Sequence, residues 1–512
     1  MRTLPLAIAT LCIAARAVAA PAAALPTTAP ASAAPPAPPA SPATAAFPAA
    51  APSAPAVASP GPASAPAAPK NAAPKANPFE VPFEKYSLQN GLEVILHHDA
   101  SLPLVAVNVW YHVGPSSEPK GRSGFAHLFE HLMFEGSKHV GHEFDHLLES
   151  VGATNVNGTT SWDRTNYFET VPRQNLELAL WLESDRMGFL LDALTPERLE
   201  VQRDVVKNER RQRYENSPYG ASELAMYESL FTPDHPYHGA VIGSMEDLSR
   251  ASMEDVKAFF RAFYSPSNAT LAIAGDFDPA VARGWVEHYF GTLAASTRPS
   301  TRLSVTPPLT ASVRKDVEEP VQLARVALGW LTPPAYSPDD TVLDVVATLL
   351  AGGKATTLYQ NLVVKQKVAS DVTAALDSNR LTSMFEVDAT VAAGTPAKNA
   401  EAALDKALSD FATKGPTAAE LDRAKRQIRL HVLTDLQRLD GDGGESGRAG
   451  TLQRMNEYLG DPGKLPAYIE RMNAVTAEDV KRVTRQYLSP STSVVITTLP
   501  KQEPVAAGTV AP

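Results

Sequence analysis

SMEDVKAFFRAFYSPS, residues 252–267, has an ungapped counterpart in TAEDVKRVTRQYLSPS, residues 476–491, an offset of 476 − 252 = 224 positions. Each opens with Ser or Thr and carries Asp three residues later, which answers free amides at a helix start. Each closes at Ser-Pro-Ser and runs into a β-rich stretch, NATLAIAGDF in the first case and TSVVITTLP in the second. The same helix, stop and strand in the same order predict a chain built from two related halves.

Working outward, the halves span 79–300 and 301–503. The first begins with the strand-like GLEVILHHD (91–99) and PLVAVNVWYHVG (103–114), the second with VQLARVALGWL (321–331). Long helical patterns follow, among them 174–192 and 396–438. Strands and helices mixed within each half predict an α+β fold. LQRLDGDGGESG, 436–447, reads as a flexible loop.

The ends of the chain have a different character. MRTLPLAIATLCIAARAVAA, residues 1–20, has Arg2, an apolar run and the small-residue site Ala17-Val18-Ala19, the pattern of a signal peptide. The run is too short for an ordinary membrane span, and no later run is long enough. Residues 21–78 are nearly all Ala, Pro, Ser and Thr, a composition that cannot offset the entropy of ordering, so a disordered tether is expected. Residues 504–512 form a short tail. The 512 residues carry a formal net charge of −10, which does not suit a nucleic-acid partner. Cys12 is the single cysteine, so no intrachain disulfide and no Cys-based metal site is possible.

Residues 127–146, HLFEHLMFEGSKHVGHEFDH, hold two candidate metal motifs. His127, Glu130 and His131 read H-x-x-E-H; His142, Glu143 and His146 read H-E-x-x-H. On a helical wheel, Phe144, Leu147, Leu148 and Val151 make one apolar face and His142 and His146 lie opposite, an ordinary amphipathic helix with wet histidines. Around the first motif, Phe125, Ala126, Leu128, Phe129, Leu132 and Met133 cover most of the circumference, leaving His127, Glu130 and His131 as one narrow polar stripe. A helix apolar nearly all round is buried, and buried polar groups need partners. A metal is the economical partner, and a catalytic zinc commonly takes three protein ligands. Glu169 is a candidate third ligand for the second pair. For the first pair EVQRDVVKNERRQRYE offers Glu200, Glu209 and Glu215, among which spacing does not choose.

Five stretches, GRSGFAHLFEHLMFEGS, GATNVNGTTSWDRTNYFETVP, QRDVVKNERRQRYENSPYG, AGGKATTLYQNLV and the repeated Ser-Pro-Ser segments, resemble the pitrilysin/insulinase zinc peptidases over nearly all of 79–503. The short two-domain type, similar to mitochondrial processing peptidase subunits, implies two related halves, each an antiparallel sheet packed with helices. The resemblance implies one zinc ion per chain held by His127, His131 and Glu209, with Glu130 as general base. Seven residues before Glu209 the family often has a second glutamate; here that position is Gln202, so its electrostatic support of the ligands is in question. NVNGTTSW resembles the family's edge strand, which implies substrate binding by Asn157, Gly158 and Thr159 through added-strand pairing. The equivalent regions of the second half, near 347–353 and 428–433, carry neither histidine pair nor glutamate, so that half would complete a chamber.

The implied function is an exported zinc endopeptidase or oligopeptidase acting on extended or unfolded peptides, periplasmic if the source is a diderm bacterium. The alternatives are a catalytically silent scaffold or assembly subunit, and a zinc hydrolase of non-peptide substrates. The family places an Arg and a Tyr, seven residues apart in a noncatalytic half, beside the substrate. In LVVKQKVAS, 362–370, those positions are Val363 and Ser370. A homodimer would lack the pair, so the expected assembly is a heterodimer with a related chain that lacks H-x-x-E-H and supplies both residues.

Overall fold

The computed structural model describes residues 77–141, 144–297, 299 and 307–501. The signal segment, nearly all of the tether and the tail fall outside the described residues, as do His142 and Glu143. The residues from Asn77 onward belong to one compact unit.

The first half runs β1 (Glu84–Ser87), β2 (Glu93–His98), β3 (Leu104–Tyr111), α1 (Phe125–Leu132), α2 (Phe144–Ser150), β4 (Thr154–Thr160) and β5 (Thr165–Pro172). It continues through α3 (Leu176–Ala193), α4 (Pro196–Arg210), α5 (Gly220–Leu230), α6 (Met245–Arg250), α7 (Met253–Phe263), β6 (Ala269–Gly275) and α8 (Pro279–Phe290). The second half runs β7 (Val313–Glu319), β8 (Arg325–Thr332), α9 (Pro338–Ala351), β9 (Ala369–Asp377) and β10 (Ser383–Val391). It ends with α10 (Ala397–Lys414), α11 (Ala418–Asp435), α12 (Gly447–Leu459), α13 (Leu465–Ala474), α14 (Ala477–Tyr487) and β11 (Val494–Pro500).

The duplication is explicit in the sheets. The first has strand order β1-β2-β6-β3-β5-β4 and the second β7-β11-β8-β10-β9. Apart from β1 the two orders are the same. Both sheets are antiparallel except for one pair each, β2 with β6 and β7 with β11, which run parallel. The repeated segments are α7 and α14. Each is closed by a complete capping box, Ser252 with Asp255 and Thr476 with Asp479, and each leads into the inner strand that its sheet shares. The helical pattern over 396–438 resolves into two helices, α10 and α11, broken at Gly415 with φ +68°.

Both faces of each sheet are covered, and the halves cover one another. On β3, Val105, Val107, Val109 and Tyr111 enter the main core of the first half. The alternate residues point the other way, as the two-residue period of a strand requires. There Ala106, with Ile95, Ala272 and Ala274, meets Leu439, Ala449 and Leu452 from the second half. The reverse holds across the pseudo-symmetric partner. Ala225, Met226 and Leu230 of α5 pack on Ala327, Met384, Val494 and Ile496 of the second sheet. Neither sheet therefore has its apolar outer face buried by its own half alone.

The stretch 436–447, expected to be flexible, is instead docked on the first sheet. Gly444 O accepts from Asn108 Nδ2 at 2.7 Å, and Gly443 O accepts from Asn166 Nδ2 and Thr159 Oγ1, both at 3.1 Å. Gly444 has φ +62°, and a Cβ there would collide with Phe168 and Asn166. Its glycines serve close backbone approach, which composition alone does not distinguish from flexibility.

Candidate metal centre

Helix α1 carries the H-x-x-E-H stripe, and its surroundings explain why it forms there. Gly124 precedes it with φ +90°, and a Cβ at that residue would lie 3.0 Å from Gly243 Cα, so glycine is required for the crossing. Glu118 supplies the acceptors that the helix start lacks: its carboxylate takes Gly124 N at 2.9 Å and Ala126 N at 2.8 Å. Phe125 and Phe129 pack on Phe259 of α7. Seven of the eight α1 residues are buried, and among them His127 and Glu130 are only 3% and 5% exposed. His131 is half-buried.

Helix α4 brings the third candidate ligand, Glu209. Thr195 caps it and Pro196 opens it. Leu199, Arg203 and Val206 line its buried side, and continuing that stripe by three residues reaches Glu209. The Glu209 side chain is 23% exposed, against 63% for Glu200, paired with Arg203, and 50% for Glu215, paired with Arg210. The amphipathic phase of α4 is thus the sequence signal that separates Glu209 from its two rivals.

The ligand atoms of His127, His131 and Glu209 all lie within 4.8 Å of one another. Glu209 Oε2 is 3.7 Å from His127 Nε2 and 3.2 Å from His131 Nε2. Burial alone would raise the Glu209 carboxyl, but the His131 hydrogen bond and the charges of His127 and Arg213 hold it down at about 2. Burial also pushes the His127 imidazole below its ordinary value, towards the neutral form that binds metals. Glu130 Oε2 is 3.9 Å from His127 Nε2. Two imidazoles and an ionised carboxylate at this spacing fit zinc as a donor set.

Around these ligands, Gln202 donates from Nε2 to Glu135 Oε1 at 2.5 Å. Glu135 is one of the negative charges that favour protonated His131, so a carboxylate stands near the ligands even though position 202 is an amide. Arg213 Nη1 is 4.0 Å from Glu209 Oε1, on the five-residue wide turn Arg211–Glu215 that follows α4.

The edge strand β4 lies over α1. Gly158 makes the approach possible, since a Cβ there would sit 3.1 Å from Glu130 Cγ and 3.1 Å from Tyr167 Cδ1. Two residues on and on the same side, Thr160 Oγ1 donates to Glu130 Oε2 at 2.6 Å. Thr160 is absent from the Asn157, Gly158 and Thr159 set implied by the resemblance, though strand alternation in NGTT places it on the same face as Gly158. Asn157 is half-buried and its Oδ1 accepts from Gly158 N at 2.9 Å. The Thr159 side chain points away from Glu130. Its hydroxyl donates to Asn166 Oδ1 at 2.6 Å on the opposite face, because successive strand residues alternate.

Of the second motif only His146 lies among the described residues. His146 is exposed on α2, whose Phe144 and Leu148 are buried. Glu169 is 1% exposed and buried beside Glu183 and Arg186, whereas His146 is exposed.

A duplicated α+β chain with an H-x-x-E-H helix, a glutamate from a following helix and an edge strand over Glu130 has the layout that the resemblance to the insulinase peptidases implies. The comparisons agree: the chain belongs to the insulinase family, peptidase family M16. Residues 93–231 match the family's "Insulinase (Peptidase family M16)" model and residues 250–428 its "Peptidase M16 inactive domain" model. A zinc protease named PqqE from Helicobacter pylori is 31% identical over 431 residues, covering 81% of this chain and 92% of that protein. A probable mitochondrial-processing peptidase subunit beta from Arabidopsis thaliana is 23% identical, covering 78% of this chain and 75% of its own. Among solved structures, a protease from Helicobacter pylori superposes with TM-score 0.75 at 27% identity, covering 82% of this chain and all of that one. The first half of the periplasmic protease PqqL from Escherichia coli shares the fold with TM-score 0.66 at 18% identity, covering 82% and 92%.

Proposed function

We propose that this chain is a zinc-dependent endopeptidase or oligopeptidase that hydrolyses extended or unfolded peptides in an exported compartment. The observation that carries the reading is the convergence of His127, His131 and Glu209 within 4.8 Å, beside a buried glutamate that is not itself one of the three. His127, His131 and Glu209 would hold the zinc, which when bound supplies a Lewis acid for the scissile carbonyl and a water activated for attack. Glu130 takes the proton from the attacking water and returns it to the leaving amine. Thr160 fixes the Glu130 carboxylate by occupying one lone pair of Oε2. The unpaired edge of β4 is suited to add an extended peptide as a further strand, with main-chain hydrogen bonds and little demand on sequence. Asn157, Gly158 and Thr159 contribute backbone to that edge.

Two further parts of the reading rest on the sequence. Val363 is half-buried and Ser370 is exposed on β9, its hydroxyl bonded to Thr390 O at 3.2 Å. Neither can act as the long-reaching donors implied by the family, which favours a heterodimer with a related chain that supplies Arg and Tyr. The signal segment favours export, and the relative described as a periplasmic protease is consistent with it. A silent scaffold would have no need of three costly polar groups in a buried stripe.

The test is metal content beside peptide cleavage for wild type and Glu130→Gln. Zinc retained with cleavage reduced about 10²–10⁴-fold supports the peptidase. A zinc-loaded, assembled wild type that cleaves no peptide supports the scaffold or a non-peptide hydrolase.

A further inference from the structure

The outer face of β4 is held by the second half of the same chain. β4 is an edge strand, bonded to β5 alone, and its register shifts between Thr154 and Asn157. Asn155 in that interval has φ +56°. A strand with one neighbour and an irregular start depends on side-chain contacts for its position. Three of these come from residues 440–445. Asn155 Nδ2 donates to Asp440 Oδ2 at 3.0 Å, Thr159 Oγ1 to Gly443 O at 3.1 Å, and the buried Arg164 reaches Glu445 with Nε at 2.7 Å.

Arg164 relays the third contact back to the strand. While Nε and Nη2 engage Glu445 Oε1, Nη1 donates to Thr159 O at 2.9 Å and to Asn166 Oδ1 at 2.6 Å. The guanidinium is 3% exposed and lies over the Trp110 ring. Without Glu445 a buried cation loses its counter-charge, and the geometry that holds the Thr159 carbonyl is no longer favoured. Thr159 faces this clamp and the next residue, Thr160, faces Glu130. A displacement of the strand on one side is therefore a displacement of the base's hydrogen bond on the other.

We infer that Glu445 and Arg164 are positioning residues for the hydrolytic site, setting β4 from the second half so that Thr160 orients Glu130 and the edge is presented to substrate. The inference rests on the peptidase reading for its effect on rate, but the clamp itself is measurable without turnover. The experiment compares the full-length chain, in whatever assembly is active, with Glu445→Ala, Glu445→Gln and Thr159→Val. Zinc content, amide hydrogen exchange across 154–160, and kcat and KM on a fluorogenic peptide are measured for each.

Glu445→Ala is expected to keep wild-type zinc, to speed exchange in β4, and to lower kcat about ten- to hundredfold, more than KM rises. Glu445→Gln, which keeps an acceptor for Arg164 Nε, is expected to recover most of kcat. Wild-type exchange in β4, or wild-type kcat, in zinc-loaded Glu445→Ala overturns the proposal. If Glu445→Ala does not fold, Thr159→Val, which removes the hydroxyl's bonds to Gly443, Asn166 and Arg164 with little change of shape, is read by the same criteria. A wild type that cleaves no peptide sinks the peptidase reading, and the exchange measurement then decides the clamp alone.

Discussion

Thr160 on the edge strand and Glu130 on the buried helix are joined by a 2.6 Å hydrogen bond from the threonine hydroxyl to Oε2. The residue that bonds the Glu130 carboxylate thus belongs to the edge strand of the first sheet. A displacement of β4 would therefore move the Glu130 hydrogen bond with it, and on the proposed reading the base with the edge that takes the peptide.

The two histidine motifs are expected to separate cleanly. His127→Ala or Glu209→Gln should lose most bound zinc and with it peptide cleavage, since each removes one of three donors. His146→Ala should change neither, because that side chain is exposed on α2. Metal analysis of purified variants decides this; zinc lost on the His146 change would overturn the assignment of the site.

The lone chain is expected to be nearly inactive even when zinc-loaded. Addition of a related chain that lacks H-x-x-E-H and carries the Arg and Tyr should raise cleavage, by about 10²–10³ for each oxyanion donor supplied. Size-exclusion chromatography with activity assays on the separate and mixed chains checks it. Full activity from a monomer or homodimer would exclude the heterodimer.

Arg186, 1% exposed, is expected to be a stability hot spot. Its Nε donates to Glu183 Oε2 at 2.9 Å, and its guanidinium stacks 4.3 Å from the Phe144 and Tyr167 ring centres. Arg186→Met leaves the Glu183 carboxylate buried without its counter-ion, a change that typically costs about 3–5 kcal/mol. Denaturant unfolding measures the loss. Arg186→Met combined with Glu183→Gln should be less destabilised than Arg186→Met alone, and a larger loss in the double variant would show that charge pairing is not the cause.

Asp440 predicts a pH dependence of stability. Burial pushes its carboxyl up to about 8, against the opposing pull of the Gly441 amide and Asn155. In the unfolded chain the group titrates near its ordinary ~3.9. Between those values the folded chain holds a proton that the unfolded chain has released. The stabilising contribution is complete below about pH 4 and is lost as pH rises through about 8. Asp440→Asn does not ionise, so its unfolding midpoint should fall less than wild type across that window. Parallel profiles for the two proteins would rule out Asp440 as the group.

The sequence alone determined what local periodicity and repetition can encode. The paired segments at 252–267 and 476–491 announced two halves, and the wheel around 125–133 singled out His127, Glu130 and His131, because a polar stripe on an otherwise apolar helix is a local pattern. The third candidate was already less local: Glu209 stands apart from Glu200 through the buried phase of α4, which matters once that helix packs on α1, and Glu215 falls on the wide turn beyond it. The docking of the 440–447 loop, the exchange of α5 and α12 between the sheets and the Thr160–Glu130 bond belong to tertiary structure. Glycines that permit close packing have the same letters as glycines that permit flexibility, and a contact between residues 281 positions apart, such as Arg164 with Glu445, leaves no periodic trace in either segment. Local pattern marked the candidate donors; only the packing of one half against the other decided what holds β4 beside them.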